Sequence, residues 1–227
     1  MNNHGQFKCI IFDCDNVLVD TETVFVSVLM DMASAYGVEM EVEEALRLFC
    51  GRKIADTIKI LEELCQQKFL ADFETSFRKR LYDEFRLGIS PIEGVEKLLR
   101  TLTIPYCVAS SGPREKILLN LGLTDLKKFF RDEHIFSCYE INSWKPEPDI
   151  FIHAANIMGY LPGQCAVIED SIAGVQAAVA GGFTVFGLSN GVNGEELEQY
   201  GAIVFEYMAD LPQLLGLKPS GESQKNL

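Results

Sequence analysis

The sequence predicts an α/β fold with a Rossmann-like parallel sheet core and an inserted all-helical domain. Short apolar runs of strand length recur along the chain, and most are continuous rather than alternating, as in parallel strands buried on both faces. Segments with helical spacing separate the later runs, which favours strand–helix crossovers. A long stretch without a strand run follows the first of them and reads as helical throughout.

The elements follow in order along the chain. The predicted strands of the core are Lys8–Phe12, Tyr106–Ala109, Ile135–Cys138, Ala166–Ile168, Thr184–Leu188 and Ala202–Phe205. The predicted helices between them are Glu93–Leu102, Pro113–Leu121, Asp149–Met158 and Ser171–Ala180. The inserted helices are Glu22–Tyr36, Val42–Cys50, Ile54–Gln66 and Leu70–Arg86. The predicted domains are therefore a core of residues 1–20 and 89–217, a helical domain of residues 21–88, and a polar tail of residues 218–227.

Composition and charge exclude several classes of protein. The 227 residues are 48% apolar and 23% charged, which is enough for a sizeable core. Thirty-three acidic against 20 basic residues give a net charge of −13 without a dense basic run, so we expect no nucleic-acid partner. Seven cysteines without a C-x-x-C pair indicate neither a zinc site nor a disulfide framework. We expect a cytoplasmic protein, because the cysteines indicate no disulfide framework and the polar N-terminus Met1–Gln6 lacks the apolar core of a signal peptide, and we take a monomer as the default. We expect no membrane partner, because the uncharged stretch Ser171–Gly194 is broken by glycines.

Polar side chains cluster where the predicted strands end. They are Asp13 and Asp15 after the first strand, Ser110 and Ser111 after the second, Lys145 before the Ala166 strand, and Glu169 and Asp170 after it. Ligands of open α/β sheets bind beyond the carboxyl ends of the strands, so we expect these side chains to converge. Each signal alone is more often a solvated turn or a helix cap. The complete set, in this order, is what indicates a site.

Clustered carboxylates repel one another and favour a hard divalent cation with oxygen ligands, which points to Mg²⁺. In such a site Asp13 is suited to act as a nucleophile and Asp15 as a proton donor. Lys145 would neutralise negative charge, and the Ser110 hydroxyl would donate to a phosphoryl oxygen. The residue types therefore predict phosphate chemistry.

Four segments resemble the motifs of the haloacid dehalogenase superfamily, in its β-phosphoglucomutase-like and sugar-phosphate phosphatase branch with a helical cap. They are Ile11–Glu22, Val108–Gly112, Trp144–Asp149 and Ile168–Ser171. The resemblance spans about Lys8 to Leu188 and includes the point at which the cap is inserted. The four motifs together are highly specific, whereas the first alone is only moderately so.

The resemblance implies a covalent aspartyl-phosphate on Asp13. It implies that Asp15 protonates the leaving oxygen and then activates water. It further implies that the Asp13 carboxylate, the Asp15 backbone carbonyl and Asp170 hold Mg²⁺, with Glu169 in direct or water-mediated contact.

The resemblance also implies residues that hold the substrate. Ser110, with Ser111 beside it, and Lys145 would hold the phosphoryl group, and Arg52, in a glycine-containing loop of the cap, would contact the rest of the substrate. The family usually has glycine where this chain has Asn16. Asparagine tolerates a positive φ better than most residues, so we expect the turn to be kept.

Three other functions stay open. A dehalogenase would have no acid at Asp15, because expulsion of a halide needs no proton. A sugar-phosphate mutase would carry a histidine early in the first cap helix, and Thr23–Val28 contains none. A phospho-acceptor signalling module would be about half this length and would lack the helical insert. The sequence therefore favours an Mg²⁺-dependent phosphatase acting on a small phosphorylated metabolite, such as a sugar, sugar-acid or polyol phosphate.

Overall fold

The structure is a computed structural model. It describes residues 7–49, 54–189, 191 and 193–217. The chain divides into two compact units: one comprises the residues up to Leu18 and those from Pro91 onward, and the other comprises Val19–Ser90. None of the described helices is long and apolar enough to cross a membrane.

Eight strands occur in the described residues. They are β1 (Cys9–Phe12), β2 (Val19–Asp20), β3 (Ser90–Pro91), β4 (Tyr106–Ser110), β5 (Ile135–Ser137), β6 (Cys165–Glu169), β7 (Thr184–Leu188) and β8 (Ile203–Phe205). Six form a parallel sheet in the order β5–β4–β1–β6–β7–β8, whereas β2 and β3 form a separate pair. All six predicted core strands belong to the parallel sheet, which confirms the predicted fold class.

Eleven α-helices lie within the described ranges. They are α1 (Glu22–Ser34), α2 (Val42–Phe49), α3 (Ile54–Cys65), α4 (Phe73–Leu87), α5 (Val95–Thr101), α6 (Arg114–Leu123), α7 (Cys138–Ile141), α8 (Asp149–Met158), α9 (Ile172–Ala180), α10 (Gly194–Gln199) and α11 (Leu211–Leu214). The first four belong to the Val19–Ser90 unit. Cys50, the predicted last residue of the second helix, lies outside the described residues.

The parallel sheet forms because its central strands can be buried on both faces. Ile10, Ile11 and Phe12 of β1 are fully buried, and α8 packs against both β1 and β4. Burying one such side chain contributes about 1.5–3 kcal/mol relative to leaving it exposed. The helical unit has an apolar core of its own, which includes Phe49, Leu61 and Phe77.

The connectivity creates one point in the sheet where the strand order reverses. The chain passes from β1 to β4 and β5 on one side, and it returns to β6 on the other side of β1. The carboxyl ends of β4, β1 and β6 are therefore adjacent. Open α/β sheets bind ligands at such a reversal.

The structure differs from the prediction at the end of one strand and in short elements that were not predicted, α7, α10 and α11 among them. The strand predicted to reach Cys138 ends at Ser137, because α7 begins there. Ser137 and Glu140 form a reciprocal capping box that starts this helix. The short, acidic helix α10 was not predicted.

Candidate active site

The ends of β1, β4 and β6 bring three polar side chains to one edge of the sheet. Asp13 follows β1, Ser110 ends β4 and Glu169 ends β6. The Asp13 backbone N–H donates to the Ile168 carbonyl at 2.9 Å, which continues the β1–β6 pairing past the end of the strand. All three side chains are buried. The residues predicted from the strand ends are thus neighbours in the sheet.

Lys145 lies between two of these carboxylates. Its Nζ donates to Asp13 Oδ1 and to Glu169 Oε1, each at 2.5 Å, and its side chain is only 4% exposed. Lys145 Nζ also donates to the Ala109 carbonyl at 3.3 Å, and it lies 4.8 Å from the centre of the Phe151 ring. A single buried cation therefore joins the loop that follows β1 to the end of β6.

Glu169 has partners on both carboxylate oxygens. Oε1 accepts from Lys145, and Oε2 accepts from the backbone N–H groups of Asp170 and Ser171 at 3.0 and 2.9 Å. The Ser171 hydroxyl donates to the same oxygen at 2.9 Å. Space for this carboxyl group depends on Gly174 in α9, where an added Cβ would lie 1.9 Å from the Glu169 carboxyl carbon. Glu169 thus holds Lys145 in place.

The charges around Asp13 alter its acidity. Burial raises the pKa of Asp13 to about 7; the Lys145 ammonium opposes this rise, whereas the carboxylates of Glu169 and Asp15 add to it. Burial by itself would lower the pKa of Lys145, but Asp13 and Glu169 outweigh that effect and raise the pKa above its usual value. Lys145 therefore stays positively charged at neutral pH. Any cation placed beside Asp13 would favour its ionised, nucleophilic form.

Asp15 is held by helix α6. Lys116 Nζ lies 2.6 Å from Asp15 Oδ2, and Asn120 Nδ2 donates to Asp15 Oδ1 at 3.1 Å. Sequence reasoning missed both residues of α6. The only signal in the sequence was a lysine and an asparagine one helical turn apart, on the predicted helix that follows β4.

Two other residues of the loop after β1 shape the site. Asn16 adopts φ 58°, which confirms the expectation that asparagine keeps the positive-φ turn where the family usually has glycine. Cys14 is fully buried, and burial raises the pKa of its thiol well above the usual value. Because a thiolate is the nucleophilic form of cysteine, Cys14 is unsuited to the role of Asp13.

The loop after β4 is tied to its surroundings through its backbone. The Ser110 hydroxyl accepts from the Gly112 N–H at 3.1 Å, and the Gly112 carbonyl accepts from the Ser137 hydroxyl at 2.7 Å. A Cβ at Gly112 would lie 4.0 Å from Asp15 Oδ2, so this loop passes close to the predicted proton donor. Ser111 is exposed, unlike Ser110.

Of the two remaining predicted site residues, the structure describes one, Asp170. Asp170 directly follows β6, and its backbone carbonyl accepts from Asn193 Nδ2 at 2.8 Å. Arg52 lies outside the described residues.

The donor set suits a hard cation that binds few protein ligands. Asp13 and Asp170 offer carboxylates, and the backbone carbonyl of Asp15 lies in the same loop as Asp13. In the described part of the chain, no three His, Cys, Asp or Glu side chains are arranged to hold a metal ion. Mg²⁺ needs no such set, because it is usually bound through one or two carboxylates together with water and phosphate oxygens. The oxygen-only chemistry of these donors therefore fits Mg²⁺.

Comparison with known proteins identifies the family. The model of the haloacid dehalogenase-like hydrolase family matches residues 7–182. The chain is 30% identical over 212 residues to a 6-phosphogluconate phosphatase of Escherichia coli K12, covering 92% of this chain and 95% of that protein. It is 29% identical to a phosphorylated carbohydrates phosphatase of Thermotoga maritima, covering 86% and 92% of the two chains.

A solved structure extends the likeness to three dimensions. A haloacid dehalogenase family hydrolase from Deinococcus radiodurans, which contains bound phosphate and sodium, superposes with a TM-score of 0.84 at 28% identity. The alignment covers 95% of this chain and 99% of that one. The chain belongs to the haloacid dehalogenase-like hydrolase family, in its phosphatase branch.

Proposed function

We propose that this phosphatase hydrolyses small phosphorylated metabolites of the sugar, sugar-acid or polyol class, with Mg²⁺, through an aspartyl-phosphate on Asp13. The observation that carries the proposal is the buried contact of Lys145 with Asp13 and Glu169, at 2.5 Å each, at the reversal point of the sheet. A phosphate monoester is an anion, and an ammonium at this position offsets charge that the surrounding carboxylates would otherwise repel. The names of the two curated relatives support the substrate class.

In the first step the Asp13 carboxylate attacks phosphorus, and the bond from phosphorus to the ester oxygen breaks. Asp15 gives its proton to the leaving alkoxide, so an alcohol departs and the phosphoryl group is bonded to Asp13. Lys145 and the Ser110 hydroxyl donate to phosphoryl oxygens, and Ser111, next to Ser110, belongs to the same phosphate-binding loop. These donors stabilise the charge of the transferring group.

In the second step a water molecule attacks the phosphorus of the aspartyl-phosphate. Asp15, now ionised, takes a proton from this water, and inorganic phosphate leaves as the Asp13 carboxylate is restored. Mg²⁺, held by the Asp13 carboxylate, the Asp15 carbonyl and Asp170, would neutralise negative charge on the phosphoryl oxygens. Each residue thus ends the cycle in its starting state.

The test is phosphate release from a panel of sugar, sugar-acid and polyol phosphates, with and without Mg²⁺. Asp13→Asn should abolish release while the protein stays folded, because the nucleophile is lost and the shape of the side chain is kept. Asp125→Asn, at an exposed position in the sheet unit, is the matched control and should retain activity. Near-normal turnover by Asp13→Asn would remove Asp13 as the nucleophile.

The same assay separates hydrolysis from the mutase alternative. A mutase would convert one sugar phosphate into an isomer without releasing phosphate. The residues of the helical unit include no histidine, whereas His134 and His153 belong to the sheet unit. We therefore expect inorganic phosphate as the product.

A further inference from the structure

Helix α6 presents two polar side chains to the carboxyl group of Asp15. Lys116 and Asn120 are four residues apart, so they lie on the same face of the helix, one turn apart. They contact different oxygens: Lys116 donates to Oδ2 at 2.6 Å and Asn120 donates to Oδ1 at 3.1 Å. The carboxyl group of Asp15 is therefore held at both ends by a single helix.

Asn120 occupies a position that packing alone would give to an apolar residue. It is fully buried, as are Ile117 and Leu121 beside it on the helix. Burying an amide is unfavourable unless its polar atoms find partners. Asn120 Nδ2 has Asp15 as its partner, but among the described residues Asn120 Oδ1 has no hydrogen-bond partner. An amide that costs stability and bonds to the predicted proton donor indicates a role in the reaction.

Lys116 is not an ordinary surface lysine. Its side chain is 22% exposed and that of Asp15 is 26% exposed, so their contact is largely shielded from water. Gly112 lies against the pair, since a Cβ there would be in ordinary contact at 3.6 Å from Lys116 Cδ and 4.0 Å from Asp15 Oδ2. The loop after β4 and the helix that follows it thus build a fitted place for the Asp15 carboxyl group.

We infer that Lys116 and Asn120 are positioning residues that orient Asp15 for proton exchange with the leaving oxygen; this rests on the proposed function. Lys116 has only donors and suits the ionised carboxylate that remains after Asp15 has given its proton. Asn120 carries both a donor and an acceptor. Its amide can donate to the ionised carboxylate or, turned by half a rotation, accept from the protonated carboxyl group. Asp15 therefore keeps a partner in both states of the cycle.

The inference predicts a dependence on the leaving group. p-Nitrophenolate departs readily without a proton, whereas the alkoxide of a polyol phosphate needs one. Misorienting Asp15 should therefore slow hydrolysis of the polyol phosphate and spare p-nitrophenyl phosphate. The parameter kcat/KM isolates this effect, because it includes the steps up to formation of the aspartyl-phosphate and excludes the later attack by water, which is common to both substrates.

The experiment measures kcat/KM of the Mg²⁺-loaded enzyme for glycerol phosphate and for p-nitrophenyl phosphate. Lys116→Met and Asn120→Leu should lower kcat/KM for glycerol phosphate about tenfold or more and change it less than about threefold for p-nitrophenyl phosphate. Lys116→Arg keeps a cationic donor and should recover much of the loss. Lys97→Met, on an exposed face of α5, is the matched control and should leave both values unchanged.

Each other outcome has a definite meaning. Equal losses on both substrates, or no loss on either, with an unchanged melting temperature would overturn the positioning role. If Asn120→Leu does not fold, the partly exposed Lys116 variants still decide the question. If the wild-type enzyme releases phosphate from no member of the panel of sugar, sugar-acid and polyol phosphates, the proposed function is refuted and so is this inference. If the wild-type enzyme is active but the variants lose the same activity on both substrates, the inference is refuted and the proposed function stands.

Discussion

The substitution Gly174→Ala tests the support of the active site most directly. Gly174 lies in α9, and a Cβ added there would stand 1.9 Å from the carboxyl carbon of Glu169 and 2.0 and 2.3 Å from its oxygens. No real structure holds such contacts, so either the carboxyl group or the helix must shift. Glu169 is fully buried and cannot turn outward to solvent without breaking its bonds.

The cost follows from what Glu169 would lose. Its carboxylate accepts four hydrogen bonds, from Lys145, the N–H groups of Asp170 and Ser171, and the Ser171 hydroxyl. Breaking a buried ion pair costs about 3–5 kcal/mol. About 1 kcal/mol of the free energy of unfolding is recovered, because alanine favours the helical conformation more than glycine does. We expect a net loss of about 2–4 kcal/mol, which lowers the melting temperature by about 4–16 °C for a chain of this size.

The measurement is thermal unfolding followed by circular dichroism, with two controls. Gly122→Ala places the same change in α6, where a Cβ would meet no atom within 4 Å, and should raise stability by about 0.5–1 kcal/mol. In a Glu169→Ala background the clash is removed, so Gly174→Ala should then be neutral or stabilising. This double-mutant cycle isolates the contact. Equal behaviour of Gly174→Ala and Gly122→Ala would refute the reasoning.

Three further predictions concern the metal, the substrate and the turn after β1. Chelation with EDTA should remove phosphatase activity, and added Mg²⁺ should restore it. In Mg²⁺ titrations Asp170→Ala should weaken metal binding more than Glu169→Ala, because both carboxylate oxygens of Glu169 already accept hydrogen bonds from protein groups. Arg52→Ala should raise KM for the best substrate about tenfold and leave p-nitrophenyl phosphate almost unaffected, since a guanidinium grips a second anionic group in two-point fashion; equal changes on both would contradict this. Asn16→Ala should lower the free energy of unfolding by about 1–2 kcal/mol and Asn16→Gly by less, because φ at this position is 58°.

The fold and the general place of the site could be predicted because they depend on local patterns. Continuous apolar runs marked the buried strands, and acidic or hydroxyl residues directly after them marked the reactive edge. The capping pair Ser137 and Glu140 was readable in the same way, as a serine followed three residues later by glutamate, but the prediction extended the preceding strand through it.

The rest depends on contacts between residues distant in sequence. Lys116 and Asn120 lie 101 and 105 positions from Asp15, and only the rotation of α6 over the end of β4 decides that they face it. Gly174 reads as one small residue in an apolar helix until its position over Glu169 is known. The sequence pattern predicts neither how a helix is rotated about its axis nor which residues lie beneath it.

The two key carboxyl groups have separate supports, and this makes the predictions independent of one another. The backbone N–H groups of the two residues before α9 hold Glu169, Glu169 holds Lys145, and Lys145 contacts Asp13. Asp15 is held instead from α6. Gly174→Ala acts on the nucleophile, so it should slow hydrolysis of both kinds of ester together and reduce stability. Lys116→Met acts on the proton donor, so it should slow only hydrolysis of the ester with the poor leaving group. Because both kinds of ester need the Asp13 nucleophile but only the poor leaving group needs a proton from Asp15, the two patterns of loss distinguish the two supports within one assay.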